Sequence, residues 1–192
     1  MAYHSSIEWT DATWNVVVGC SKVVDAGEWT GRVNMVHDRL TLPMRWTKPR
    51  RIFVNAQSDL FHKGVSDDFI ARVLAVMALT PHHTYQVLTK RPGRMRALLS
   101  SPDFREAVID HVCWYDNPAE VPRVPWPLPN VHIGVSVEDQ KAADLRIPLL
   151  LDTPAAVQVR DLWAHARVIT DDGTEAARWV RTVLALGWRP TT

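Results

Sequence analysis

The stretch from Arg51 to Arg91 constrains the fold more than any other part of the chain. Ile52-Phe53-Val54 reads as a short apolar strand ending on polar Asn55, Ser58 and Asp59, and Tyr85 to Leu88 as a second strand ending on Thr89, Lys90 and Arg91. Between them Ser66 is a good helix N-cap, because its hydroxyl accepts an otherwise unpaired backbone N–H, and Asp67 and Asp68 suit the positive end of the helix dipole. Phe69, Ile70, Val73, Leu74, Val76 and Met77 recur on one broad helical face, and Pro81 stops the helix. Parallel strands need such a crossover, and in parallel α/β folds ligands bind beyond the carboxyl ends of the strands. Asn55, Ser58, Asp59, Thr89 and Lys90 are therefore candidate ligand-binding residues. As cleft residues, Asp59 and Lys90 are expected to tolerate alanine without loss of the fold.

Either side of this unit the chain alternates in the same way. Val16-Val17-Val18 reads as a first buried strand running into Gly19-Cys20, Val33 to Leu40 as a modest helix, and 21–31 as a loop. After Pro92-Gly93 a short helix carries Met95, Leu98 and Leu99, and Pro102 opens another with Phe104, Val108 and Ile109. Five prolines between Trp114 and Asn130 predict an irregular excursion there. Val131 to Val135 is a further strand, ending at Ser136 with Glu138 beyond, which adds Ser136 and Glu138 to the candidate site. A helix from Asp139, strands at Ala155 to Val159 and at Arg167 to Ile169, and a helix from Thr174 to Leu186 complete the pattern. At 192 residues this is one α/β domain spanning 1–192, with a parallel sheet and alternating helices, either a partial barrel or an open doubly wound sheet.

A net charge of +1 argues neither for nor against nucleic acid, so that reading rests on local runs. Arg45, Trp46, Lys48, Arg50 and Arg51 form one run, with an aromatic residue that can stack on a base, and Lys90 to Arg96 forms another. The two flank strands of one unit but lie at opposite ends of the sheet, which weakens a shared surface. His62, His82, His83 and His132 match no metal-ligand spacing, and no metal site is expected. No segment has the length or apolarity of a membrane span, and the N-terminus lacks a basic-then-apolar signal pattern, so a cytoplasmic protein with no membrane contact is expected.

Five blocks, IEWTDATWNVVVGCSKV, LPMRWTKPRRIFVNAQSDLFH, YQVLTKRPGRMR, WPLPNVHIGVSVEDQ and RIPLLLDTPAAV, closely resemble the phage-encoded three-Cys-motif proteins, which are radical-SAM-like. The resemblance spans roughly residues 5–157 and implies a partial, incomplete TIM-like β/α barrel. It also implies a [4Fe–4S] cluster held just after the first strand, S-adenosylmethionine bound at the strand ends, and, for a phage product, residence in the host cytoplasm.

The cysteine pattern departs from that family. Cys20 is followed by Ser21-Lys22-Val23 and no further cysteine until Cys113, whereas the cluster needs three thiolates within reach of one another. Cys20 is then a vestigial ligand, and neither cofactor is expected to bind. The last segment, from Gln158 onward, lacks the family's cysteine-containing strand end and glycine-rich continuation. The chain thus reads as a shortened relative without the cluster, a non-catalytic binding or regulatory protein. The alternatives are an enzyme with a strand-end pocket for S-adenosylmethionine or a phosphate-containing ligand, and a nucleic-acid-binding module. A barrel that stops short leaves a sheet edge open to self-association or a protein partner.

Overall fold

The computed structural model describes residues 10–19, 24–25, 28–29, 33–56, 58–117 and 123–162. Its first strand, β1, is Ala12–Trp14. Two-residue strands follow, β2 (Val17–Val18), β3 (Val24–Asp25), β4 (Glu28–Trp29) and β5 (Asn34–Met35), with 3-10 turns at His37–Arg39 and Pro43–Arg45. Then come β6 (Arg51–Val54), α1 (Asp67–Leu79), β7 (Thr84–Thr89), α2 (Pro92–Leu99), α3 (Pro102–Asp116), β8 (Val131–Val137), α4 (Gln140–Leu151) and β9 (Val157–Leu162).

Five of these strands form one parallel sheet in the order β1-β6-β7-β8-β9, and the antiparallel pairs β2-β5 and β3-β4 stand apart from it. Each long crossover leads to the neighbouring strand, so the order follows the chain with no reversal. α1 packs on α3, and α2 on both α3 and α4. The helices therefore form one layer, as same-handed crossovers require. α1 is buried almost all round, with Phe69 to Ala71 and Val73 to Met77 all inaccessible, because the sheet covers one side and α3 another.

The expected Ser66 cap forms, and two further helices are capped in the same way. Ser66 Oγ accepts from Phe69 N at 3.2 Å, Ser101 Oγ from Phe104 N at 3.3 Å and Asp139 Oδ1 from Ala142 N at 2.7 Å. Under the helices the sheet presents Ala12, Trp14, Ile52, Val54, Tyr85, Val87, Val131, Ile133 and Val135, all buried. The alternate residues Thr13, Phe53, Gln86, Leu88 and His132 face the other way and are half-buried.

Four expectations need correction. Val16–Val18 is not the first strand of the sheet: Asp11 N donates to Arg51 O and Asn55 N to Trp14 O, which puts Ala12–Trp14 beside β6. The amides of Val16 and Val17 instead bond a side chain, and Val17–Val18 turns away to pair with β5. The helix from Val33 to Leu40 is replaced by β5 and a single 3-10 turn; the β-branched Val33 and Val36 with Asn34 favour extended backbone there. The excursion at 114–130 begins later, because α3 runs on to Asp116 until Asn117 caps it in the left-handed conformation at φ 44°. The last described strand lies at 157–162, displaced from the expected 155–159, since α4 continues through Pro148 to Leu151 and a turn follows it. The strand expected at 167–169, the helix at 174–186 and Cys20 lie outside the described residues.

Candidate functional site

The carboxyl ends of β6, β7 and β8 gather most of the candidate residues, and the structure divides them into two kinds. Asn55 and Ser58 hold the scaffold. Asn55 sits at φ 55°, a left-handed conformation that asparagine tolerates, and is buried. Its Oδ1 accepts from Val16 N at 3.0 Å and Val17 N at 3.1 Å, while Ser58 Oγ donates to Val17 O at 2.6 Å. Together they clamp the segment after β1 onto the end of β6.

Asp59 is the hub of the loop. It is 7% exposed. Its two oxygens accept from Phe61 N (2.9 Å), Thr89 Oγ1 (2.8 and 3.0 Å), Lys90 N (3.1 Å) and Arg91 Nη1 (2.7 Å). A carboxylate offers about four lone-pair sites. These are spent, so Asp59 is a structural ligand of the β7 end and not the free cleft residue expected from sequence, and alanine there would leave its donors unpaired. Thr89 is likewise structural, buried, with Oγ1 also accepting from Arg91 N at 2.9 Å.

The second kind remains accessible. Lys90 Nζ pairs with Glu138 Oε1, and Glu138 Oε2 pairs with Arg146 Nη1 at 2.7 Å. Arg146 Nη1 also donates to Ser136 O at 2.6 Å, which ties α4 to the end of β8. Burial alone would raise the Glu138 carboxyl, but the hydrogen bond from Lys90 and the charge of Arg146 outweigh it and hold it below the usual carboxylate range. The side chains of Lys90 and Glu138 are 56% and 39% exposed.

Three residues here escaped sequence reasoning as members of this site. Arg91 was read as a polar end of the second strand and as part of a basic run, but not as a member of the candidate site. Arg146 reaches back from the second turn of α4, and no local signal marks it. His62 is buried beside the same loop, with Nδ1 accepting from Gly64 N at 3.1 Å, so the neutral ring carries its proton on Nε2. Burial, with Arg91 next in weight, pushes its pKa down. A Cβ on Gly64 would come within 2.8 Å of the Val33 side chain, which explains the glycine. Arg94 closes the loop from below, donating to the carbonyls of His62 and Val65 and pairing with Asp67.

The nucleic-acid candidates lie at the amino end of the sheet. Trp46 packs on the core and edge-on to His83, Arg50 lies 4.9 Å above its ring, and Arg51 pairs with Asp11 at 3.1 Å. Among the described residues Arg45 and Lys48 are the members of that run without such a tie. From the second run, Lys90, Arg91 and Arg94 are engaged at the carboxyl end and Arg96 pairs with Asp152 at 3.4 Å. The two runs do not merge into one surface.

The donor set does not fit an iron–sulfur cluster. The whole sequence holds two cysteines, and Cys113 is a half-buried residue of α3. Among the described residues no three His, Cys, Asp or Glu side chains are grouped to hold a metal ion, and no helix is long and apolar enough to cross a membrane.

The model of a family described as "Protein of unknown function (DUF5131)" matches residues 24–162, more than half of the chain. The chain belongs to this family. The DUF5131 match takes in β6 to β9 and with them every residue of the carboxyl-end network. No curated protein and no solved structure matches the chain.

Proposed function

We propose that this DUF5131 protein is a partial β/α barrel related to the phage three-Cys-motif, radical-SAM-like proteins, in which the rim at the carboxyl ends of the strands is kept for binding while the redox centre is lost. The observation that carries the reading is the chain of contacts across three consecutive strand ends. It runs from Asp59 after β6, through Thr89, Lys90 and Arg91 after β7, to Glu138 after β8. The sequential strand order and the single helix layer support a segment of barrel wall, with half-buried Thr13, Phe53, Gln86 and His132 as its inner face. Asp59, saturated with hydrogen bonds, is unsuited to proton transfer, which favours binding over turnover.

In this reading the protein acts in the cytoplasm. Among the described residues β1 and β9 each pair on one side only, which favours a protein partner or a second copy at a sheet edge. The test is the iron and acid-labile sulfide content, with the visible spectrum, of protein purified and reconstituted without oxygen. The expected result is no stoichiometric iron. A cluster that vanishes in Cys20→Ala overturns the reading and makes the protein a radical enzyme with ligands supplied from elsewhere.

A further inference from the structure

We infer that the carboxyl rim binds a small phosphate-bearing molecule, received by Lys90 and Arg146 when they are released from Glu138 and by the unspent Nε and Nη2 of Arg91, which stays on Asp59. This rests on the binding reading above and names the ligand class.

The argument begins from what the rim leaves unspent. Three cations stand here in two ion-pair groups, Arg91 on Asp59 and Lys90 with Arg146 on Glu138, and the two groups are linked by the Lys90 backbone N–H, which donates to Asp59. Both oxygens of each carboxylate are engaged. The cations are not saturated. Arg91 uses Nη1 alone, which leaves Nε and Nη2 without a partner among the described residues, with 36% of the side chain exposed. Arg146 likewise spends only Nη1, on Ser136 O and Glu138, and Lys90 Nζ makes one of three bonds open to it. Ser136, near the end of β8, has a hydroxyl with no hydrogen-bond partner among the described residues. These five charged side chains therefore offer more donors than acceptors and carry one positive charge in excess.

An anion with several oxygens suits this arrangement better than a carboxylate, whose two oxygens cannot serve three separated cationic groups. Guanidinium forks and an ammonium are the side chains that recognise phosphate. The position also matches, since ligands of parallel α/β sheets lie outside the carboxyl ends of the strands. A nucleic-acid backbone is disfavoured, because it needs an extended basic track and the run from Arg45 to Arg51 lies at the opposite end of the sheet.

Glu138 is the competitor. It holds two of the three cations, and its side chain is 39% exposed, so a phosphate that enters must replace it. The inference therefore predicts the sign of a substitution that a purely structural ion pair would not: Glu138→Gln raises anion affinity.

The experiment is a melting-temperature titration of the full chain with inorganic phosphate and with adenosine monophosphate. Sodium acetate, sodium chloride at matched ionic strength and a single-stranded oligonucleotide serve as controls, and stabilisation follows ligand occupancy of the folded state. Saturable stabilisation by phosphate or the monophosphate is expected, several-fold tighter in Glu138→Gln and several-fold weaker in Lys90→Gln, whose half-exposed side chain is not needed for folding. Equal stabilisation by chloride or acetate, binding of the oligonucleotide alone, or no response in either the wild type or Glu138→Gln overturns the assignment. None of those results alters the iron content on which the binding reading is tested, so the two can fail separately.

Discussion

At the amino end of the sheet the guanidinium of Arg50 lies over the Trp46 ring, Arg51 is held by Asp11, and Asn130 Nδ2 donates to the carbonyls of Met77, Thr80 and His83. At the carboxyl end Asp59 is saturated too, yet the cations around Glu138 keep donors to spare. The same residue types serve different ends. Basic and aromatic side chains at the amino end close the bottom of the fold over the start of β7. At the carboxyl end one buried carboxylate braces the loops, so that accessible cations stand at fixed places on the rim.

The comparison is broken most severely at Asp59. Asp59→Ala leaves Thr89 Oγ1, Lys90 N, Phe61 N and Arg91 without their shared acceptor. Removing one partner of a buried, hydrogen-bonded ion pair costs about 3 kcal/mol, and the partial exposure of Arg91 keeps the figure at that lower end. Urea unfolding measures it. A loss below about 1 kcal/mol would mean that the loop stands without its hub and that the rim is not braced as described.

The next test sets the buried histidines of the two ends against each other. His83, just before β7, is 1% exposed; its Nε2–H donates to Pro43 O at 3.1 Å, and its Nδ1 has no hydrogen-bond partner among the described residues. Burial holds its pKa below the ordinary value of 6.5, with the charges of His82 and Arg50 adding to the effect. His62 at the carboxyl end is also lowered, by burial and by the charge of Arg91, which outranks the opposing charge of Asp59. Both histidines fold neutral. Their contribution is complete above pH 6.5, where the unfolded chain is neutral as well, and is lost as pH falls toward the folded pKa while the unfolded state takes up protons. Stability should therefore fall below pH 6.5, by at most about 1.4 kcal/mol per pH unit for each histidine. His83→Gln and His62→Gln should each flatten that dependence. A slope unchanged in either variant would show that the ring removed does not fold in the neutral form.

Much of this was legible in the sequence because it is local. The Ser66 cap, the apolar face of α1 and the polar ends of β6, β7 and β8 each lie within a few residues of what they determine. The first strand was misplaced because Val16-Val17-Val18 outscores Ala12-Thr13-Trp14 in β propensity. What decides between them is Asn55, some forty residues away, whose Oδ1 takes the two amides out of the ladder. The role of Asp59 was hidden for the same reason. A polar residue after a strand looks alike whether it faces solvent or is surrounded by four donor groups, and those donors come from its own loop and from the end of β7. Arg146 joins the rim only because α4 folds back beside β8.

The smallest expected effect is the one that sharpens the comparison most. Arg50→Ala removes a half-exposed cation–π contact and should cost about 0.5 kcal/mol. Lys90→Ala breaks a largely exposed ion pair and should cost no more than about 1 kcal/mol. By stability alone the two ends would then be indistinguishable. They separate in the phosphate titration, where Arg50→Ala should leave the stabilisation of the wild type unchanged and Lys90→Ala should weaken it. The reverse pattern, with Arg50 controlling the response to phosphate, would move the binding surface to the amino end and give the Trp46 run the role that its packing now argues against.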